Sequence, residues 1–133
     1  YKNIHNLEGK YFISDYQVPS YYESKGIGRI DLVISDGILE YATEIKAYKK
    51  EKAKTNEESI LRMIAEILTY TYGFPKDKYK PAIAFFENTP QEIEWITRDE
   101  LLNELITKAN ISVFLFKEVE NKTHERFIIE KLK

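Results

Sequence analysis

Three charged side chains stand where an apolar hairpin would be expected to hold none. Asp31 interrupts the run from Arg29 to Ser35, and Glu44 and Lys46 interrupt the run from Leu39 to Ala47. Asp36-Gly37 between the two runs is a hairpin turn signal. Two carboxylates and one ammonium are the groups a metal-dependent phosphodiesterase site needs. Carboxylates hold a hard divalent cation, which lowers the pKa of a bound water and polarises the phosphorus. Lys46 is the residue to hold that water, or a phosphate oxygen, beside the ion.

Parity decides whether the three can act together. If Asp36 and Gly37 alone form the loop, Ala42 stands opposite Asp31 and Glu44 lies diagonally. Two more loop residues bring Glu44 directly opposite Asp31. Either register puts Asp31, Glu44 and Lys46 on one face, with Ile30, Leu32, Ile34, Thr43 and Ile45 on the other. Opposed residues on paired strands have Cβ atoms roughly 5 Å apart, so the two carboxylates can converge on one ion. Without a cation they repel each other and lose hydration. Glu-x-Lys by itself turns up by chance in roughly one of every two chains this long, and an ion cluster at a strand end would also produce it. The weight rests on the combination of an Asp in an apolar strand, a turn, and Glu-x-Lys on the same face of the partner strand.

The elements that must position these residues are legible around them. Lys10 to Val18 reads as a strand ending before Pro19, and Ser20 to Gly28 as a loop. The strands Arg29 to Ser35 and Leu39 to Ala47 follow. Thr55 to Glu58 fits a capping box for a helix from Asn56 to Tyr72, with Ile60, Leu61, Ile64, Ile67, Leu68 and Thr71 on its apolar face. Gly73 and Pro75 stop that helix. Pro81 to Glu87 reads as a buried strand and Glu92 to Thr97 as a half-exposed one. A helix capped by Thr97 or Asp99 runs to Lys108, and Ile111 to Val119 and Arg126 to Leu132 are the last strands. The order β-β-β-α-β-β-α-β-β predicts an α/β fold with a mixed sheet flanked by helices.

The totals narrow the chemistry. A chain of 133 residues, 43% hydrophobic and 32% charged, is one globular domain. There is no cysteine, which excludes disulfides, thiolate metal sites and a Cys nucleophile. His5 and His124 are the only two histidines and lie far apart in sequence, so an imidazole zinc site is not expected. Oxygen ligands point to Mg²⁺, with Mn²⁺ able to substitute, or to Ca²⁺. A net charge of −2 argues against non-specific coating of nucleic acid but allows a local basic patch. No apolar run approaches the roughly 18 residues of a membrane span, and no signal-peptide pattern opens the chain. A cytoplasmic protein without membrane partners is the expectation. The opening Tyr1 suggests an excerpt of a longer protein.

Gly28-Arg29-Ile30-Asp31 with Glu44-Ile45-Lys46 resembles the signature of the PD-(D/E)XK nuclease superfamily, which includes restriction endonucleases and archaeal Holliday-junction resolvases. The resemblance covers the hairpin, the helix behind it and the strand Pro81 to Glu87. It implies a restriction endonuclease-like core, with Asp31 and Glu44 binding Mg²⁺ together with the main-chain carbonyl of Ile45, and Lys46 in the lysine role. It implies a DNA endonuclease of a restriction, recombination or mobile-element system. Ile30 replaces the family's Pro, and the upstream Glu of many members has only Glu8 or Glu23 to match it. The alternative is a non-catalytic nuclease-like module that binds nucleic acid or a partner protein.

Further residues carry a functional reading beside a plainer one. Lys49, Lys50, Lys52 and Lys54 follow the second strand, and with Lys25 and Arg29 they could track a DNA backbone. A solvated loop explains them equally. Glu66 and Tyr70 resemble a Gln-and-Tyr pattern found on this helix in some exonuclease members. An exposed Arg62–Glu66 pair on the solvent face is the default. Tyr21 and Tyr22 could stack on bases, while Phe85, Phe86, Phe114, Phe116 and Trp95 read as core. A homodimer or further domains are the partners expected beside DNA.

Overall fold

A computed structural model describes residues 10–20, 28–45, 57–75, 77–86, 100–118 and 127–133. Within these the order is β1 (Phe12–Pro19), β2 (Arg29–Ser35), β3 (Glu40–Ile45), α1 (Glu57–Thr71), β4 (Lys80–Phe86), α2 (Glu100–Lys108), β5 (Ser112–Glu118) and β6 (Phe127–Lys131). The six strands form one sheet in sequence order. β1, β2 and β3 are an antiparallel meander, β3 to β4 and β4 to β5 are parallel, and β6 returns antiparallel on β5. The α/β class with a mixed sheet is therefore observed. The predicted strand Glu92 to Thr97, and with it Trp95, lies outside the described residues. So do the two histidines.

Both faces of the sheet are apolar, because β2, β4 and β5 bury side chains in both directions. On one face Ala42, Ile83, Phe85 and Val113 pack against Ile60, Met63, Ile64 and Ile67 of α1 and Leu102 and Ile106 of α2. On the other, Leu32, Ile34, Tyr41, Ala82, Ala84, Phe114, Phe116 and Ile129 form a second core. The sheet curls over this second face. Tyr11, just before β1, brings its ring to 5.2 Å from Phe114 on β5, although flat strands so far apart in order would be separated by about 19 Å. Tyr41 meets Phe114 edge-on at 5.1 Å, and Phe86 meets Phe127 at 5.2 Å.

The β2–β3 turn chooses between the two registers. Leu32 pairs with Thr43, Val33 with Ala42, Ile34 with Tyr41 and Ser35 with Glu40, so the loop has four residues, Asp36 to Leu39. Asp36 explains the longer loop. Its Oδ1 accepts the N–H groups of Ile38 (2.9 Å) and Leu39 (2.7 Å), and its own N–H reaches the Leu39 carbonyl at 3.3 Å. These bonds hold the Asp36 carboxyl below its ordinary pKa. Gly37 supplies a φ of +93°.

Helix α1 sits differently from its sequence pattern. Ile60, Met63, Ile64 and Ile67 are buried, whereas Leu61 and Leu68 remain 36% and 37% exposed. At about 100° per residue the buried stripe is turned by roughly 50° from the predicted one, toward Met63 and Tyr70. The reason is tertiary. The sheet and α2 both contribute to the core that α1 joins, and in it Met63 is buried while Leu61 and Leu68 are left outside.

Because a Cβ on Gly37 would meet nothing within 4 Å, the cost of a side chain there is confined to the backbone. Gly37→Val is expected to lower stability by about 1–2 kcal/mol, read as a lower urea midpoint at unchanged m.

Candidate functional site

The site begins where the β2–β3 ladder ends. One step beyond the Leu32–Thr43 pair, the register brings Asp31 opposite Glu44 on the face that looks toward α1. There the Ile45 N–H donates to Asp31 Oδ2 at 3.1 Å, so a carboxylate continues the ladder. β1 is irregular at the same level. Between the pairs Tyr16–Leu32 and Val18–Ile30, Gln17 takes a left-handed φ of +49° opposite Asp31. Ile30, predicted on the face away from the carboxylates, joins the helix-side core with Val18.

Glu44 is 7% exposed, and its Oε1 has no hydrogen-bond donor. Two other carboxyls, Asp31 and Glu66, are near enough to act on it. Burial first, then these contacts and the charges behind them, push its pKa from 4.5 up to about 10. Left to itself, Glu44 keeps a proton at neutral pH. A divalent cation is the other way to satisfy the buried oxygen, because it replaces the proton with a stronger positive charge. The residues present therefore fit a hard, oxygen-liganded ion.

Glu66 and Tyr70 enter the site from α1, and the rotation of that helix explains why the solvent-face reading of Glu66 fails. With the buried stripe turned toward Met63 and Tyr70, Glu66 moves from the outer face to the margin of the core and meets Glu44. Tyr70 packs one turn further along. Burial, followed by the charges of Glu66, Glu44 and Asp31, raises its phenol pKa above the ordinary value, so it stays a neutral donor. Its ring lies against Gly28, where an added Cβ would stand 2.8 Å from Tyr70 Oη. The absence of a side chain at Gly28 is what admits the phenol three residues from Asp31. The four-residue spacing of Glu66 and Tyr70 was visible in the sequence, but their orientation was not.

Of the other predicted residues, Ile45 ends β3 beside both facing carboxyls, and Arg29 opens β2 with an exposed side chain whose Nε donates to the Gln17 carbonyl at 3.0 Å. Lys46, Lys49, Lys50, Lys52 and Lys54 lie outside the described residues, as do Lys25, Glu8, Glu23, Tyr21 and Tyr22. Among the described residues no three acidic or histidine side chains stand already converged as a metal cage. An open groove of about 360 Å³, lined by Ile38, Leu39, Glu40, Asp77, Lys78 and Lys80, lies at the opposite, turn end of β3 and contains none of these groups. Comparison with protein-family models, with curated proteins and with solved structures returns no match for this chain.

The raised pKa of Glu44 has a definite sign for stability. The unfolded chain releases this proton near pH 4.5 while the folded chain holds it far longer, so stability falls as pH rises above about 5. In the presence of a chelator, the melting temperature is expected to drop between pH 5 and pH 9. Glu44→Gln, which keeps the shape without the charge, should flatten that profile and melt higher than the parent at pH 8. A lower melting point for the variant at pH 8 would contradict this account of the site.

Proposed function

We propose that this chain is a Mg²⁺-dependent DNA endonuclease of the PD-(D/E)XK type, hydrolysing phosphodiester bonds as part of a restriction, recombination or mobile-element system. The observation that carries the reading is the buried Glu44 oxygen without a donor, set across the hairpin from Asp31. A carboxylate desolvated against another carboxylate is costly to keep charged unless it binds a cation. The surrounding chain supports the same reading. The antiparallel hairpin is followed by α1 across its face and by β4 parallel to β3, which is the extent over which the sequence resembles the superfamily.

In this reading Asp31 and Glu44 would hold the ion, with the main-chain carbonyl of Ile45 as the further ligand the resemblance implies. When bound, such an ion would supply an acidified water and charge for the pentavalent phosphorus. Lys46 orients that water and donates to the phosphate oxygen that gains charge. Water adds to phosphorus as the bond to the leaving sugar oxygen breaks, and a proton ends on that oxygen. Asp31, fixed by the Ile45 N–H, sets the distance between the two strands at the reacting centre. Arg29, tied to the Gln17 carbonyl, and Lys49, Lys50 and Lys52 contact the DNA backbone.

The test is incubation of the protein with supercoiled plasmid, four-way junction and single-stranded DNA, with and without Mg²⁺ or Mn²⁺. Cleavage is expected only with the cation. It should fall by about 10²-fold or more in Asp31→Asn, Glu44→Gln and Lys46→Ala while these variants stay folded. Cleavage that survives all three substitutions, or that persists in chelator, would sink the proposal. DNA binding without either cleavage or cation uptake would leave the nuclease-like binding module in its place.

A further inference from the structure

We propose that the outer face of α1 is a self-association surface, on which a second copy of this chain packs its own α1 antiparallel about a two-fold axis. The inference stands apart from the cation reading. A helix lying on a core buries one stripe and turns polar side chains to water. α1 buries Ile60, Met63, Ile64 and Ile67, yet a second apolar row remains exposed: Leu61, Ala65, Leu68 and the Tyr72 that follows the helix. At about 100° per residue this row lies roughly 120° round the helix from the buried one. Its spacing of four, three and four residues is that of the seam in a two-helix coiled coil, where such side chains meet a second helix.

Two properties select a second copy as the occupant. The first is area. Of the large hydrophobic side chains that stand exposed among the described residues, most are on the helix layer: Leu61, Leu68, Tyr72, Leu101 and Leu105. The last two belong to α2, which packs in the same core and touches α1. An aromatic side chain offers about 150–250 Å² and a leucine somewhat less, so with Tyr72 80% and Leu101 55% exposed these residues leave on the order of 400–500 Å² in water. A homodimer interface of about 800 Å² on each partner is about 65% apolar, which calls for about 520 Å². The second property is symmetry. A two-fold axis midway between Ala65 and Leu68 sets Leu61 opposite the partner's Tyr72 and Ala65 opposite the partner's Leu68. Each pair then occurs twice, as a closed dimer requires, and the short Ala65 makes room for the leucine it meets.

Interfaces of this size associate in the micromolar range or tighter, so sedimentation equilibrium of the whole chain up to about 100 µM is expected to show a dimer. Leu68→Glu should raise the dimer Kd about hundredfold or more, because each interface would bury two unpaired carboxylates, and Ala65→Lys should do the same. Both positions are exposed in the single chain, so each variant should melt within about 3 °C of the parent when dilute. Ile38→Glu, at an exposed turn position, should dimerise as the parent does. Mixing the Ala65→Lys and Leu68→Glu chains should restore the dimer, since one lysine then faces one glutamate across the axis. A parent that stays monomeric overturns the proposal and leaves the row to a different partner. A dimer that survives Leu68→Glu overturns it as well, and a mixture no better than its components overturns the antiparallel two-fold arrangement.

Discussion

Glu44 is held out of water on a strand in the middle of the sheet, facing Asp31 across the hairpin and Glu66 from the helix above. Much of the surrounding structure serves to maintain that confrontation. The four-residue turn at Asp36 fixes the register that opposes the two strand carboxyls. The Ile45 N–H then fastens Asp31 to the end of β3. The helix packs on the same face and closes the third side. A fold that keeps like groups together in this way needs a proton or a cation among them.

The two-sided core makes such an arrangement affordable. Aromatic contacts among Tyr11, Tyr41 and Phe114, and among Phe86, Phe116 and Phe127, close the face of the sheet away from the helices. Burial of that kind is worth roughly 25 cal/mol for each Å² of apolar surface, enough over many residues to carry one unfavourable carboxyl cluster. The cluster sits at the margin of the helix-side core, where β2 and β3 cease to pair. Groups at such a place are desolvated by their neighbours.

The site is also built so that its parts depend on different kinds of contact. Asp31 is oriented by a hydrogen bond, Glu44 by strand register, and Glu66 by the packing of a helix. Tyr70 links the last of these to the first, because its ring rests on Gly28 at the start of the strand that carries Asp31. Disturbing the helix face would therefore be felt at Asp31 through the backbone of β2, as well as at Glu44 through Glu66.

The sequence by itself determined the hairpin, the helices and the pairing of Asp31 with Glu44 on one face. Period-two alternation is a local property, and both plausible loop lengths have the same parity. It narrowed the opposing residue to two candidates and no further. The longer loop was chosen by the hydrogen bonds of Asp36, which a count of turn residues does not reveal. Glu66 was misplaced for a related reason. Leu61 and Leu68 make the helix pattern apolar over a wide arc, and the arc alone does not say which part of it the sheet and α2 will cover. Only tertiary packing turned the helix toward Met63 and Tyr70, and with it brought a third carboxyl to the two the sequence had already paired.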